Sequence, residues 1–233
     1  MPAWSRCTRT SMNSASRNRH CTITPADQRR FTRLVRDVAA CTACERVAHS
    51  HVLGAANGPL DAGILFVAEA VGRRGGAITG VPLTRDVSGQ RFNAFLALAG
   101  IDRAHVFITN AVLCNPLDDA GRNRPPSPAE VARCRPFLER ALVLVRAPVV
   151  VALGRVALEA LRAIEPHELE LAPDVGRAAP WARRTLVPMY HPSRQSTLHR
   201  PQEAQEGDWR RLGELLRATG QARRGDNGTG LLP

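Results

Sequence analysis

The sequence contains no lysine, so all 32 of its basic residues are arginine, against 21 acidic residues and a formal net charge of +11. The absence of lysine excludes chemistry that proceeds through a lysine Schiff base. The surplus of arginine favours a polyanion as the partner of the protein surface. The alternative is a basic surface that binds nothing.

Long apolar runs are also missing. The longest candidate, residues 141–154, is interrupted by Arg146 and Pro148 and stays below the roughly 18 residues that a membrane span requires. The first thirty residues are rich in arginine and serine and lack the apolar segment of a secretory signal. We therefore expect a cytoplasmic protein with no membrane partner.

Six cysteines are present, and in a reducing compartment their thiols are expected to stay free for metals, with a disulfide framework as the alternative. Cys41 and Cys44 form a CTAC motif, and Cys114 and Cys134 flank a later loop. Four such thiolates can hold zinc or a [4Fe–4S] cluster, and spacing alone does not separate these from each other. Unligated core cysteines are the remaining interpretation. Cys7 and Cys21 lie in an N-terminal basic arm and are expected to be spectators.

A chain of 233 residues is long enough for one α/β domain with short tails. The predicted divisions are a disordered basic arm (1–30), a folded domain (31–218) and a disordered tail (219–233). Four apolar segments are typical of buried strands and alternate with helical patterns. They predict an α/β fold, a three-layer α-β-α sandwich with a four-stranded parallel central sheet. The strand segments are 64–70, 105–114, 149–154 and 184–190, and the helical ones are 87–100, 127–145, 155–164 and 202–218.

Ligand sites of open α/β sheets lie beyond the carboxyl ends of the strands. Applied to the four predicted strands, this rule selects Glu69, Asn110, Gly154, and Tyr190 with His191. A carboxylate, an amide and an imidazole are therefore expected to meet at one edge of the sheet.

Seven ordered motifs extend these observations: CTAC, FVAEAVG, TGVPLTRDVSG, ITNAVLCNP, NRPPSPAE, VVVALG and YHPSRQST. Together, over about residues 38–216, they resemble the iron–sulfur families four and five of the uracil-DNA glycosylase superfamily. The segment AEAVG is similar to the GEAPG motif of family four. The spacing of TGVPLTRDVSG and the loop HPSRQST are closer to family five. The resemblance implies a [4Fe–4S] cluster rather than zinc on the four cysteines Cys41, Cys44, Cys114 and Cys134.

The resemblance also implies roles for the polar residues. His191 would donate a hydrogen bond to a carbonyl oxygen of a flipped base, and Asn110 would read the amide edge of that base. The carboxylate that orients water would be Asp86 in the family-five pattern or Glu69 in the family-four pattern. Structural alternatives remain for each of the four: a helix cap for Asp86, a solvated strand end for Glu69, a turn for Asn110 and a buried structural histidine for His191.

Further candidates surround these residues. Leu83 stands where both families carry an aromatic that stacks on the base, and stacking of this kind contributes roughly 1–3 kcal/mol. Gly72 permits either a tight turn or a close approach of the backbone to the base. In the loop after His191, we assign Arg194 and Arg200 to DNA phosphates. Gln195 or Leu198 is the candidate wedge residue that fills the space left by the flipped base.

The function implied is that of a monomeric, monofunctional DNA glycosylase that removes uracil, with hypoxanthine or other deaminated bases as further substrates. The competing interpretation is an iron–sulfur DNA-binding protein of the same fold with little catalysis, which Leu83, Ala68 and Val71 would allow. A third is a zinc-stapled α/β protein that acts on a small nucleotide.

Overall fold

A computed structural model describes residues 22–218 of the chain. The predictions made for the N-terminal arm through residue 21, including Cys7 and Cys21, and for the tail from residue 219 lie outside the described residues. The α-helices are α1 (Pro25–Ala39), α2 (Gly76–Thr79), α3 (Val87–Ala99), α4 (Pro128–Leu144), α5 (Arg155–Arg162) and α6 (Gln202–Ala218). The strands are β1 (Val47–Ala48), β2 (Ile64–Ala70), β3 (Val106–Val112), β4 (Asn115–Pro116), β5 (Val149–Leu153), β6 (Ala179–Trp181) and β7 (Arg184–Met189).

The central sheet has five strands in the order β3-β2-β5-β7-β6. The α/β prediction is confirmed, but the sheet is mixed, because the edge strand β6 runs antiparallel to β7 and was missing from the four-stranded prediction. The strand β6 is short and contains Pro180, which suits an edge position and gives no apolar run in the sequence. It joins β7 through Ala182 and Arg183, both at positive φ, without the Asn-Gly signal of such turns.

Helix α1 begins within the segment that was predicted to be a disordered arm. Thr24 and Asp27 form a capping box, in which the Thr24 N–H donates to Asp27 Oδ2 at 2.9 Å and the Asp27 N–H donates to Thr24 Oγ1 at 3.2 Å. Arg146 donates to the same carboxylate at 2.6 Å and connects the helix start to the segment before β5. The folded part therefore includes residues 25–30, ahead of the predicted boundary at residue 31.

Helices cover both faces of the sheet, because alternate residues of each parallel strand point to opposite sides. One face packs against α1, α4 and α5, and the other against α3 and α6. On the second face Trp209 stacks on Phe66 and Phe95 with ring centroids 5.7 and 5.3 Å apart. This aromatic contact fixes α3 and α6 side by side over the sheet.

The carboxyl ends of β2, β3, β5 and β7 meet at one edge, which we call the rim. The register pairs Ala68 with Asn110 and Leu153 with Met189, so the polar residues that follow these strands come together there. Among the described helices, none combines the length and hydropathy needed to cross a bilayer.

Candidate active site

His191 lies just beyond the end of β7 at the rim. The Gly154 N–H donates to the Met189 carbonyl at 2.8 Å, and a Cβ added at Gly154 would lie 3.4 Å from the His191 Cβ. Gly154 has a φ of 93°, which L side chains rarely adopt, so glycine serves both the turn and the packing of the histidine. Burial lowers the pKa of His191 to about 4, and the imidazole is therefore neutral at pH 7.

Arg91 of α3 holds the histidine loop in place. Its Nε donates to the Pro192 carbonyl at 3.1 Å, and its terminal nitrogens donate to Gln202 at 3.0 Å and Gln205 at 3.4 Å. The guanidinium also lies 5.2 Å from the ring centroid of Phe95. A single side chain thus connects α3, the residue after His191 and α6.

Asn110 is 3% exposed and lies within β3, beside Ala68 of β2. No polar group among residues 22–218 pairs with its side-chain amide. Since buried amides normally have hydrogen-bond partners, this one is available to a ligand that enters the rim. The turn alternative does not apply, because Asn110 is a strand residue.

Asp86 caps helix α3, as the structural alternative required. Its Oδ1 accepts the Gly89 N–H at 2.9 Å. Its Oδ2 faces the loop after β2, where a Cβ added at Gly72 would lie 2.8 Å from this oxygen and one at Gly75 would lie 2.6 Å away. The cap therefore uses one carboxylate oxygen, while the glycines keep space around the other.

Glu69 is the second carboxylate at the rim and lies next to the end of β2. It is half-buried, and burial raises its pKa. Within the described part of the chain its carboxylate has no hydrogen-bond or ion-pair partner. A carboxylate without a partner at this edge is a second group that can orient a water molecule.

Leu83 adopts a φ of 48°, unusual for a residue with a large side chain. Arg103 stabilises this backbone, since its terminal nitrogens donate to the Leu83 carbonyl at 3.3 Å and the Pro82 carbonyl at 2.6 Å. The Leu83 side chain is half-buried and packs against the core between the sheet and helices α3 and α6.

Three of the four predicted DNA-contacting residues lie on one 3-10 helix, Arg194–Leu198. Arg194 and Gln195 are exposed, and Leu198 is 82% exposed, as a wedge residue requires. Arg200 is different, because its guanidinium is bound to Asp208, a residue that is 1% exposed. Arg200 thus forms a structural ion pair, and its assignment to a phosphate stays a prediction.

The four predicted cysteine ligands come together. Burial raises the pKa of Cys134 to about 12, with smaller contributions from the neighbouring thiols of Cys114, Cys41 and Cys44. The Leu113 N–H donates to Cys134 Sγ at 3.4 Å. All four thiols are partly buried, and thiolates are the donor type of a [4Fe–4S] cluster.

Two histidines beside the thiols were missed by the sequence reading. The ring nitrogens of His49 and His51 and the sulfur of Cys114 all lie within 4.8 Å of one another. His51 Nε2 is 2.8 Å from the Cys41 carbonyl, which makes this nitrogen the donor and leaves Nδ1 unprotonated on the neutral ring. The spacing HSH after the CTAC motif was the available signal. The contact of Arg91 with the histidine loop had no signal in the sequence, because Arg91 and Pro192 are 101 residues apart in the chain.

Comparison with known proteins places this geometry in a family. The family model of the uracil DNA glycosylase superfamily matches residues 55–213. A type-4 uracil-DNA glycosylase of Archaeoglobus fulgidus is 32% identical over 191 residues, which cover 78% of this chain and 91% of that protein. Type-4 enzymes of Thermotoga maritima and Saccharolobus solfataricus are each 31% identical and cover 67% and 66% of this chain, and 78% and 71% of their own lengths. The fold, the rim and these similarities together show that the chain belongs to the uracil-DNA glycosylase superfamily.

Proposed function

We propose that this protein is a DNA glycosylase that hydrolyses the N-glycosidic bond of uracil in DNA and leaves an abasic site. The observation that carries the proposal is the meeting of three kinds of group at the rim. These are the neutral imidazole of His191, the unpaired amide of Asn110, and the carboxylates Asp86 and Glu69. The type-4 uracil-DNA glycosylases similar to this chain support the same substrate.

The chemistry requires a flipped uracil with its base edge towards Asn110 and a carbonyl oxygen towards His191. As the bond between C1′ and N1 breaks, its electron pair moves to the base, and the sugar acquires oxocarbenium character. The neutral His191 donates an N–H hydrogen bond to the oxygen on which negative charge develops. A water molecule, oriented by Asp86 or Glu69, adds to C1′ and gives its proton to that carboxylate, from which it passes through solvent to the departing uracil anion.

The cysteine site would be held by Cys41, Cys44, Cys114 and Cys134. A [4Fe–4S] cluster bound there, or zinc as the less favoured alternative, would supply cross-links between separate segments of the chain. Cys41 and Cys44 follow α1, Cys114 follows β3, and Cys134 belongs to α4. The role assigned to this site is structural, and no step of the reaction depends on it.

Finer assignments belong to the same proposal. We place the chain closer to family five because of the spacing of TGVPLTRDVSG and the loop HPSRQST, although the relatives named above are type-4 enzymes. The enzyme would be monofunctional, since no lysine is present for a Schiff base. It would act as a cytoplasmic monomer on DNA, with hypoxanthine as a further substrate.

The test uses fluorescent oligonucleotides that carry uracil or hypoxanthine, incubated with the full-length protein and then treated with alkali. Cleavage at uracil is the expected result, because alkali breaks the strand at an abasic site. Intact strands with every deaminated base, together with retained DNA binding, would instead favour the catalytically weak iron–sulfur protein.

A further inference from the structure

The arginines of this protein fall into two groups. Many are bound to acidic side chains or backbone carbonyls, as Arg124, Arg146 and Arg200 are. Others are exposed, and their guanidinium groups have no ion-pair or hydrogen-bond partner within residues 22–218; four of this second group lie close to the rim. These are Arg73, Arg74, Arg85 and Arg155.

These four arginines share a location. Arg73 and Arg74 lie between Gly72 and Gly75, the two glycines that face Asp86 Oδ2. Arg85 directly precedes Asp86, and Arg155 directly follows Gly154, the residue that packs against His191. Each cation therefore lies in, or directly after, a segment that also shapes the candidate active site.

We propose that Arg73, Arg74, Arg85 and Arg155 bind successive phosphates of the DNA strand that carries the target base. We call these four residues the arginine rim. The inference rests on the proposed function, and it adds a contact surface separate from the helix Arg194–Leu198. Arginine suits this task because its planar guanidinium binds phosphate oxygens in pairs and always carries its charge.

The sheet order supports a linear phosphate path. The strands β2, β5 and β7 are neighbours, and their ends carry the loops of the arginine rim and of His191. Neighbouring strands are about 4.8 Å apart, so these three ends span roughly 10 Å. A DNA strand offers about three phosphates over this length, given one phosphate per roughly 3.4 Å of helix axis, so two of the four arginines share a phosphate.

Exposed apolar side chains among these arginines favour nucleic acid over a small anion. Ile78, between Arg74 and Arg85 in the chain, is 60% exposed, and Val87, next to Asp86, is 46% exposed. A compact anion would occupy one or two guanidinium groups and leave this apolar surface in water. A DNA strand covers both, because its sugars and bases lie beside its phosphates.

The test is the salt dependence of DNA binding, measured by fluorescence anisotropy on a labelled, uracil-free single-stranded oligonucleotide. Each lost phosphate contact lowers the slope of log K against log salt concentration by about 0.7 for a single strand. We expect this decrease for each of Arg73→Gln, Arg74→Gln, Arg85→Gln and Arg155→Gln. Thermal melting of each variant confirms that it is folded.

Arg183→Gln is the matched control. Arg183 is exposed and has no ion pair among the described residues, but it precedes β7 and so lies at the opposite end of the sheet from the rim. Its φ of 62° is close to the 66° of Arg85, so the two substitutions carry similar backbone strain. We expect the control to keep the slope of the unmodified protein.

Four folded variants that all keep the wild-type slope would overturn the inference. Displacement of the labelled DNA by poly-aspartate as readily as by unlabelled oligonucleotide at equal charge would overturn the assignment to DNA. Uracil release identifies which proposal has failed. If the protein releases uracil but the variants keep the wild-type salt slope, only the proposal for the arginine rim is overturned. If the variants lower the salt slope but the protein releases no uracil, the arginine rim is supported and the proposed function is overturned.

Discussion

Arg200 and Asp208 form a two-pronged ion pair at the base of the loop that follows His191. Arg200 Nη2 lies 2.7 Å from Asp208 Oδ1, and Arg200 Nε donates to the other carboxylate oxygen. The Asp208 side chain is only 2% exposed and also binds Arg211. A buried carboxylate needs such partners, because an unpaired charge in the interior is costly.

The first prediction concerns this pair. Arg200→Gln is expected to lower the free energy of unfolding by about 1–3 kcal/mol, because Asp208 loses one of two cationic partners. Urea denaturation measures the loss. Arg194→Gln is the control, with unchanged stability and a reduced salt slope of DNA binding. The structural role of Arg200 would be contradicted if its variant kept full stability and lost the DNA salt slope instead.

The second prediction separates the cap of Asp86 from its chemistry. Asp86→Asn preserves the helix cap, since asparagine caps as well as aspartate, but removes the charge that orients water. We expect unchanged stability, and a decrease of about 10²–10⁴-fold in the rate constant of uracil release under single-turnover conditions. Asp86→Ala would additionally lose about 1 kcal/mol of stability.

Glu69→Gln is the counterpart of this experiment at the other carboxylate. If it, rather than Asp86→Asn, abolishes turnover, Glu69 is the residue that orients water. Full activity in both variants would show that the mechanism proposed above is wrong.

The third prediction follows from the neutral state of His191. Its pKa in the folded protein, about 4, is below the ordinary value of 6.5, so the unfolded chain binds a proton that the folded protein excludes between these values. This stabilising contribution is complete above about pH 6.5 and is lost as the pH falls towards 4. As the pH falls from 6.5 to 4, we expect the free energy of unfolding of the wild type to decrease more than that of His191→Gln. Parallel urea-denaturation profiles for both proteins would contradict it.

The fourth prediction concerns Arg91. Arg91→Ala should lower kcat up to about 10²-fold with a smaller change in KM. A small displacement of His191 reduces the stabilisation of the transition state more than it reduces the affinity for DNA. Arg91→Lys should recover little, since one ammonium cannot reach Pro192, Gln202 and Gln205 together. A purely structural role would lower the melting temperature and leave kcat unchanged at temperatures where the variant is folded.

The fifth prediction concerns the cysteine site. Cys134→Ser should remove bound iron and the brown colour of the purified protein, as measured by metal analysis and visible absorption. Cys7→Ser and Cys21→Ser are matched controls that should retain both. A colourless wild-type protein that contains zinc would contradict the cluster and support the zinc alternative.

Local sequence patterns were sufficient to predict much of the fold. The runs ILFVAEA and VVVALG predicted β2 and β5, because a strand buried on both faces is apolar along its length. The helical segment predicted from residue 127 is α4, and Ser127 and Glu130 form a capping box at its start. The rim residues followed from the same strands, since parallel strands share one carboxyl edge.

Other features depended on how distant elements dock. Arg200 had the same local signature as Arg194, and only the packing of α6 gave it a buried carboxylate partner. Arg91 reached the histidine loop only after α3 and α6 were placed side by side.

The sequence by itself determined the elements and the chemical groups at their ends, because backbone preference and burial are encoded within a few neighbouring residues. The tertiary structure alone decided which cations are paired, how five strands rather than four complete the sheet, and that His49 and His51 lie beside Cys114. Those contacts join residues far apart in the chain, and their partners are set by the packing of whole helices and strands rather than by local spacing.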